Sequence, residues 1–147
     1  MILENDYITI LQLKNLVIQY HPQKKWLYTK WIGRQNFQTV TSGCEVMLES
    51  LEKYKCSKVL NDNTLVTGTW SEASEWGAKN WFPRMEAAGL KYFAWIYSPD
   101  YYSQMSTDKT LVLFKNTTIF TFSDKLSATQ WLQSQANHKA VCRGNIS

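Results

Sequence analysis

The sequence predicts a single α/β domain: a mixed β-sheet that opens with an N-terminal antiparallel meander, continues in parallel crossover strands and is packed by four helices. Three observations predict it. β-type runs crowd the first 32 residues with only short polar breaks; beyond them, helical and strand-like segments alternate; and Tyr92–Tyr97 is an unbroken run of apolar and aromatic residues, the pattern of a strand covered on both faces. The resulting order is βββαβαβαβα, for which the crossovers should be right-handed.

The meander is read from Tyr7–Leu13, Leu16–His21 and Trp26–Ile32, separated by Lys14-Asn15 and by the turn His21-Pro22-Gln23-Lys24-Lys25. In the third run Leu27, Thr29 and Trp31 alternate with Tyr28, Lys30 and Ile32, so one of its faces is mixed and half solvated; Gly33 ends it. Asn36 suits an N-cap, since its side-chain oxygen can accept from free first-turn amides. After it, Phe37, Val40, Cys44, Met47, Leu48, Leu51 and Tyr54 recur at spacings of three and four and form one apolar stripe. Gly43 inside that helix costs about 1 kcal/mol relative to Ala. Lys58–Asp62 reads as a short buried strand ending in polar residues, giving a βαβ unit. Thr69-Trp70-Ser71-Glu72 has capping-box form and opens a helix that runs to Ala88 and stops at Gly89. Pro83 lacks a donor and clashes with the preceding turn, so a kink or two short helices are expected near Trp81-Phe82. After Ser98-Pro99-Asp100 a short helix is expected from Asp100 to Lys109. The stretch Thr110–Asn116 fits neither pattern, Thr117–Phe122 reads as a strand, and Ser123 should cap a last helix holding Leu126, Trp131 and Leu132. The domain is thus residues 1–135, and 136–147 is a polar tail expected to fray.

Composition narrows the function classes. The chain has 147 residues, 44% apolar and 19% charged, which is ordinary for a globular domain, and at this length a core needs no disulfide or metal to hold it. The outlier is aromatic content: seven Trp, eight Tyr and six Phe supply large buried area, with a surplus for an interface or a ligand wall. The net charge is +4, but Lys24, Lys25, Lys53, Lys55, Lys58, Lys139 and Arg143 are scattered, so no nucleic-acid partner is expected. No apolar run approaches the roughly 18 residues of a membrane span. Cys44, Cys56 and Cys142 show neither C-x-x-C spacing nor a nearby His, so no disulfide framework and no metal site is expected. Together with an acidic start that lacks a basic-then-apolar leader, this points to a cytoplasmic protein. The sequons at Asn116 and Asn145 would matter only in a secreted chain.

The blocks Tyr28-x-x-Trp31-x-Gly33, Asn61-Asp62-Asn63, Trp81-Phe82-Pro83-Arg84-Met85-x-x-Ala88-Gly89-Leu90 and Phe122-x-Asp124 with Trp131-Leu132 resemble uncharacterised bacterial proteins of the STAS superfamily. Those proteins are similar in fold to the sporulation anti-sigma-factor antagonists. The resemblance spans roughly Met1 to Ser134. It implies a STAS-like fold and a regulatory, non-enzymatic role, with a Ser or Thr before a helix as a phospho-switch. Thr69 and Ser71 are the hydroxyls in the corresponding stretch, although the Asp-Ser-Ser-Gly type motif is absent and helix capping explains them more simply.

In open α/β sheets ligands gather outside the carboxyl ends of parallel strands, which singles out Arg34, Asn61 to Asn63 and Ser98 to Tyr101. Asp62 beside Asn63 could bind a hydroxylated ligand, but Asn and Asp also end strands by bonding their own backbone. Arg84 beside Trp81 could clamp an anion or simply cover apolar surface. The candidate ligand set is therefore Asp62, Asn63, Trp70, Trp76, Trp81, Arg84, Ser98, Asp100 and Tyr101. No catalytic constellation is visible: there is no G-x-S-x-G elbow or Gly-rich phosphate loop, His21 is read in a turn and His138 in the tail, and Glu72 and Glu75 read as exposed helix charge. No cofactor is expected. Two readings follow. The first is a STAS-like regulatory or protein-interaction domain, with a protein partner or a homodimer. The second is a carrier or sensor of a small apolar molecule or lipid in an aromatic-lined crevice at the strand ends.

Overall fold

The computed structural model of the protein describes residues 6–115 and 118–137. The tail from His138 onward, with Cys142 and the Asn145 sequon, lies outside the described residues, as do Asn116 and Thr117. The elements are β1 (Ile8–Gln12), β2 (Leu16–His21), β3 (Trp26–Arg34), α1 (Phe37–Tyr54), β4 (Lys58–Thr67), a composite helical segment α2, β5 (Tyr92–Ile96), α3 (Tyr101–Leu113), β6 (Ile119–Phe122) and α4 (Lys125–Ser134). All six strands form one sheet in chain order, β1-β2-β3-β4-β5-β6. β1, β2 and β3 pair antiparallel, and β3 to β6 pair parallel. The α/β class, the mixed sheet and the four helices are as the alternation of patterns predicts.

Strand alternation sorts side chains onto two faces. Leu27 and Trp31 of β3, Val59 of β4 and Phe93 and Trp95 of β5 join the core built with α1 and α2, against which Leu111 and Phe114 at the end of α3 also pack. Trp26 and Tyr28, Leu60, and Ala94 and Ile96 face the other way and pack on Ala128 and Leu132 of α4. This two-sided burial is what the unbroken apolar run of β5 demands.

Local chemistry sets the register. His21, read above as a turn residue, instead closes β2 and is buried; its Nδ1 accepts from Lys24 N at 3.0 Å, and its carbonyl accepts from Lys25 N at 2.7 Å. Lys25 takes a left-handed φ of 60° in that turn. Asn36 caps α1 as expected, in a reciprocal box with Thr39. Gly43 has a reason beyond propensity: a Cβ there would stand 2.5 Å from Leu16 Cδ2 and 2.6 Å from Trp31 Cη2, so the missing side chain lets α1 approach the sheet.

Several expectations are corrected. β4 does not end at Asp62 but runs on to Thr67: Asn61 and Asp62 are bonded across the sheet to Thr29, Trp31 and Tyr28, and the local bond that Asp62 also accepts from Thr64 N does not end the strand. Phe37 sits outside the α1 stripe with 45% of its surface exposed, and Leu126 is 68% exposed on α4. The Thr69 capping box does not form: the N-cap of α2 is Trp70, and the Thr69 hydroxyl accepts from Ser71 N at 3.2 Å. α2 is a 3₁₀ turn (Ser71–Ala73), an α turn (Ser74–Trp76), a π turn (Gly77–Trp81) and an α segment (Phe82–Ala87). The π turn is the form the expected kink takes: Pro83 offers no amide to the ladder, and the backbone N–H of Phe82 bonds back five residues to Gly77 O. α3 extends through 110–113, which the sequence left unassigned. Asp124, not Ser123, caps α4, accepting from Ser127 N at 2.8 Å.

Candidate functional site

Because the parallel strands follow one another without reversal, the described sheet has no switch point at which adjacent crossovers diverge, the usual place for a crevice outside the strand ends. The space lies instead inside the fold, between the carboxyl halves of β3, β4 and β5 and the three helices above them. It is a partly enclosed cavity of about 50 Å³ whose lining is almost wholly apolar. Trp31, Trp70, Trp81 and Trp95 stand around it with Phe82 and Phe93.

Each wall is held by local structure. In β4 the pairing with β3 shifts between Lys30↔Asp62 and Ile32↔Leu65, so one extra residue is accommodated at Asn63-Thr64. Such a bulge reverses the side-chain alternation, which is why both Asn63 before it and Val66 after it line the cavity. Asp62 pins the bulge by accepting from Thr64 N at 2.9 Å and from the Thr64 hydroxyl. On the helical side the buried face of α3 is a row of hydroxyls. Ser106 Oγ accepts from Trp70 N at 3.0 Å, Ser103 Oγ accepts from Trp70 Nε1 at 3.2 Å, and Ser74 Oγ donates to Ser106 O at 2.9 Å. These bonds, with Phe82 of α2 stacked on Phe114 at the end of α3 at 5.1 Å, fix α2 to α3.

The four indole N–H groups are not equivalent. Trp31 Nε1 donates to Asn61 Oδ1 at 3.0 Å, Trp70 Nε1 to Ser103, and Trp81 Nε1 to Cys44 O at 2.7 Å. Trp95 Nε1 is buried and has no partner among the described residues. A buried tryptophan normally finds an acceptor, and a donor left unmet costs about 1–3 kcal/mol.

One further feature keeps the space open at a cost to stability. Gly77 lines the cavity in mid-helix, where Gly costs about 1 kcal/mol relative to Ala. A Cβ there would meet nothing nearer than Thr110 Cγ2 at 4.0 Å. A void of this size costs on the order of 1 kcal/mol more, at about 24 cal/mol per Å³.

The structure divides the residues singled out from the sequence. Asn63, Trp70 and Trp81 line the cavity. Asp62 is on the opposite face of β4 from Asn61 and accepts from Tyr28 Oη at 2.8 Å, so the imagined crevice joining Asp62 to Trp81 does not exist. Trp76 is half-buried, packed against the large core and edge-on to Phe37 at 6.4 Å, but is not among the cavity's lining residues. Arg84 is engaged by Glu45 in a two-pronged ion pair with contacts of 3.0 and 2.5 Å and also donates to Asn80 Oδ1. Ser98 donates to Val66 O at 2.7 Å and accepts from Asp100 N. Asp100 caps α3; amide donors from Gly68, Ser103 and Tyr102 hold its carboxyl below the usual range. Tyr101 is exposed on that helix. Thr69 lies at the α2–α3 junction with its Oγ1 3.2 Å from Ser106 Oγ, and the Ser71 carbonyl accepts from Lys109 Nζ at 3.3 Å. Trp31 and Trp95 were not singled out. Trp31 could have been found from its place beside Leu27 and Thr29 in the alternating strand, whereas the unbroken run around Trp95 gives no sign of which residues share a face.

Reactive groups are muted. Burial pushes the Cys44 thiol far up and that of Cys56 up to about 12, so both are protonated at neutral pH and poor nucleophiles. Among the described residues no group of three His, Cys, Asp or Glu side chains is placed to hold a metal ion, and no helix is long and apolar enough to cross a membrane. No model of a known protein family matches the chain, and no curated protein is detectably similar to it.

Proposed function

We propose that this protein is a non-catalytic ligand-binding domain, a sensor or carrier, whose ligand is a small neutral molecule held in the tryptophan cavity. The carrying observation is that the space is kept open at Gly77 where a methyl group would fit without a clash. Protein interiors pack to crystal-like density, and residual voids are few. Apolar cavities stay dry and take apolar guests; one of about 150 Å³ holds benzene, so this one suits a guest of about two to four heavy atoms, or xenon.

The test is a panel of xenon and small neutral organics read by tryptophan fluorescence and melting temperature. At least one member should raise the melting temperature and shift the emission. Gly77→Ala should itself melt higher, by about 0.5–1 kcal/mol of stability, while weakening that response at least fivefold. A raised melting point separates blocked binding from misfolding. If neither xenon nor any organic changes either signal, the reading fails.

A second reading, the regulatory or protein-interaction domain that the STAS resemblance implies, is favoured by one observation. α3 is inverted: Ser103, Ser106, Thr107 and Thr110 are buried, while Tyr101, Tyr102, Met105 and Val112 are each more than half exposed on its outer face. The occupant proposed for that stripe is a second copy of the chain. Asp108 and Lys109 lie near its middle, so two such helices crossing antiparallel about a two-fold bring acids near bases. Light scattering should then show a dimer that Met105→Lys disperses to monomer; a monomer at all concentrations counts against it.

A further inference from the structure

Trp95 lines the cavity and carries a buried indole N–H without a partner among the described residues, and this limits what can fill the space. We propose that the ligand carries a hydrogen-bond acceptor, of the ketone, aldehyde or ether class, and that the Trp95 indole N–H selects it. This inference rests on the ligand-binding reading and deepens it.

Trp95 lines the cavity and is 5% exposed, so water from outside does not serve its Nε1. Neighbouring acceptors are already committed: Asn61 Oδ1 takes both Thr29 Oγ1 and Trp31 Nε1, and Ser103 Oγ takes Trp70 Nε1. The ring itself is fixed, stacked on Trp70 at 6.0 Å and edge-on to Phe93 at 5.5 Å, so the indole cannot turn away to find a partner. The donor is therefore held in place at a penalty, and a guest that brings an acceptor removes that penalty on binding. A hydrocarbon of the same shape gains only contact area. Charged ligands are excluded on the same ground, because the lining has no counter-ion: Arg84 is held outside by Glu45, and Lys58 is on the other face, donating to Gln135 O at 2.6 Å.

The experiment compares two isosteres, acetone and isobutene, on the intact protein and on Trp95→Phe, which removes the N–H and keeps an aromatic ring. Binding is read by melting temperature and by the indole Hε1 resonances in ¹⁵N-labelled protein. The expected result is that acetone moves the Trp95 Hε1 signal downfield and isobutene does not. Trp95→Phe should weaken acetone by about tenfold and leave isobutene unchanged, the size of one neutral hydrogen bond. If Trp95→Phe does not fold, the wild-type indole spectrum alone decides. Binding of both isosteres with equal affinity and no Hε1 shift overturns the inference and leaves the ligand-binding reading intact. Binding of neither overturns both. An Hε1 signal that shows a long-lived water contact, or the upfield position of an N–H facing a ring, and that acetone fails to move assigns the donor elsewhere and also overturns the inference.

Discussion

On one face of the sheet, α1, α2 and α3 enclose a large aromatic core that contains a cavity; on the other, α4 alone covers a small core around Trp26, Leu60 and Ile96. The larger face has three helical segments tied to one another by hydroxyls and indole N–H groups, so it can hold an empty space without collapsing. The smaller face has one helix, and its polar contacts mostly tie strand residues to one another and to the segment before β1: Tyr28 to Asp62, Trp26 Nε1 to Tyr7 Oη at 3.1 Å, Lys125 over the Tyr28 ring at 4.3 Å, Lys58 to Gln135 O. The difference teaches that stability and openness are assigned to different helices. The face with more layers carries the space, and the face with fewer seals the sheet.

The largest expected effect tests this division. Leu51 of α1 and Leu132 of α4 are both fully buried, and truncating either to Ala should cost about 2–5 kcal/mol. The consequences should differ in extent. Leu51→Ala should raise amide exchange across α1, β3 and β4 together, whereas Leu132→Ala should raise it mainly in α4 and the inner strands it covers. Uniform exchange in both variants would show that the faces unfold as one unit.

Gly43→Ala comes next. The added methyl meets Leu16 and Trp31 at 2.5 and 2.6 Å, and overpacking of this kind costs about 1–3 kcal/mol, opposite in sign to Gly77→Ala on the same face. Urea midpoints of the two glycine variants, moving in opposite directions, would show that α1 is packed to contact while α2 is not. Both moving downward would deny the difference.

The sequence made the architecture legible because each element carries its own period or cap. Asn36 and the α1 stripe, the polar break at Lys14-Asn15 and the apolar run of β5 each determine local structure without reference to distant residues. The site was legible only in part. Trp70 and Trp81 were drawn from their place around a proline-broken helix, and both line the cavity. Asp62 was misplaced because three consecutive polar residues read as a strand end, while partners distant in sequence hold them inside a strand: Trp31 for Asn61, Tyr28 for Asp62. The bulge at Asn63-Thr64, which sends Asn63 and Val66 to one face, depends on register with β3 and has no local signature.

The smaller face should show the stronger response to acid. His21 points to that side, edge-on to Tyr7 at 4.9 Å, and burial lowers its pKa from the usual 6.5, outweighing the nearby Asp6 carboxylate 4.0 Å from Nε2; Lys24 also lowers it. The folded state therefore resists a proton that the unfolded chain accepts. Stability is full above pH 6.5 and declines as pH falls below it toward the folded pKa. Protonation also requires Nδ1 to give up the Lys24 amide. Urea titrations between pH 7.5 and 5.5 should show this slope, and His21→Gln should flatten it. An unchanged slope in the variant would place the titrating group elsewhere.

The smallest effect belongs to the bond that joins α1 to α2 over the larger face. Arg84 and Glu45 meet in bidentate geometry, but both side chains are about two-fifths exposed or more, and exposed ion pairs contribute only about 0.2–1 kcal/mol. Glu45 holds its proton less tightly than usual because Arg84 donates to it, so this contribution is present at neutral pH and fades as the carboxyl is protonated in acid. A double-mutant cycle of Arg84→Met and Glu45→Gln measures it, with the coupling falling at high salt. If the helices that bound the cavity are held by the buried bonds of Trp81 to Cys44 and of Ser74 to Ser106, breaking this surface pair should leave ligand response unchanged. A coupling well above 1 kcal/mol, or a weakened response to the cavity ligand, would instead make the pair a strut of the site and move part of the larger face's rigidity from its interior to its surface.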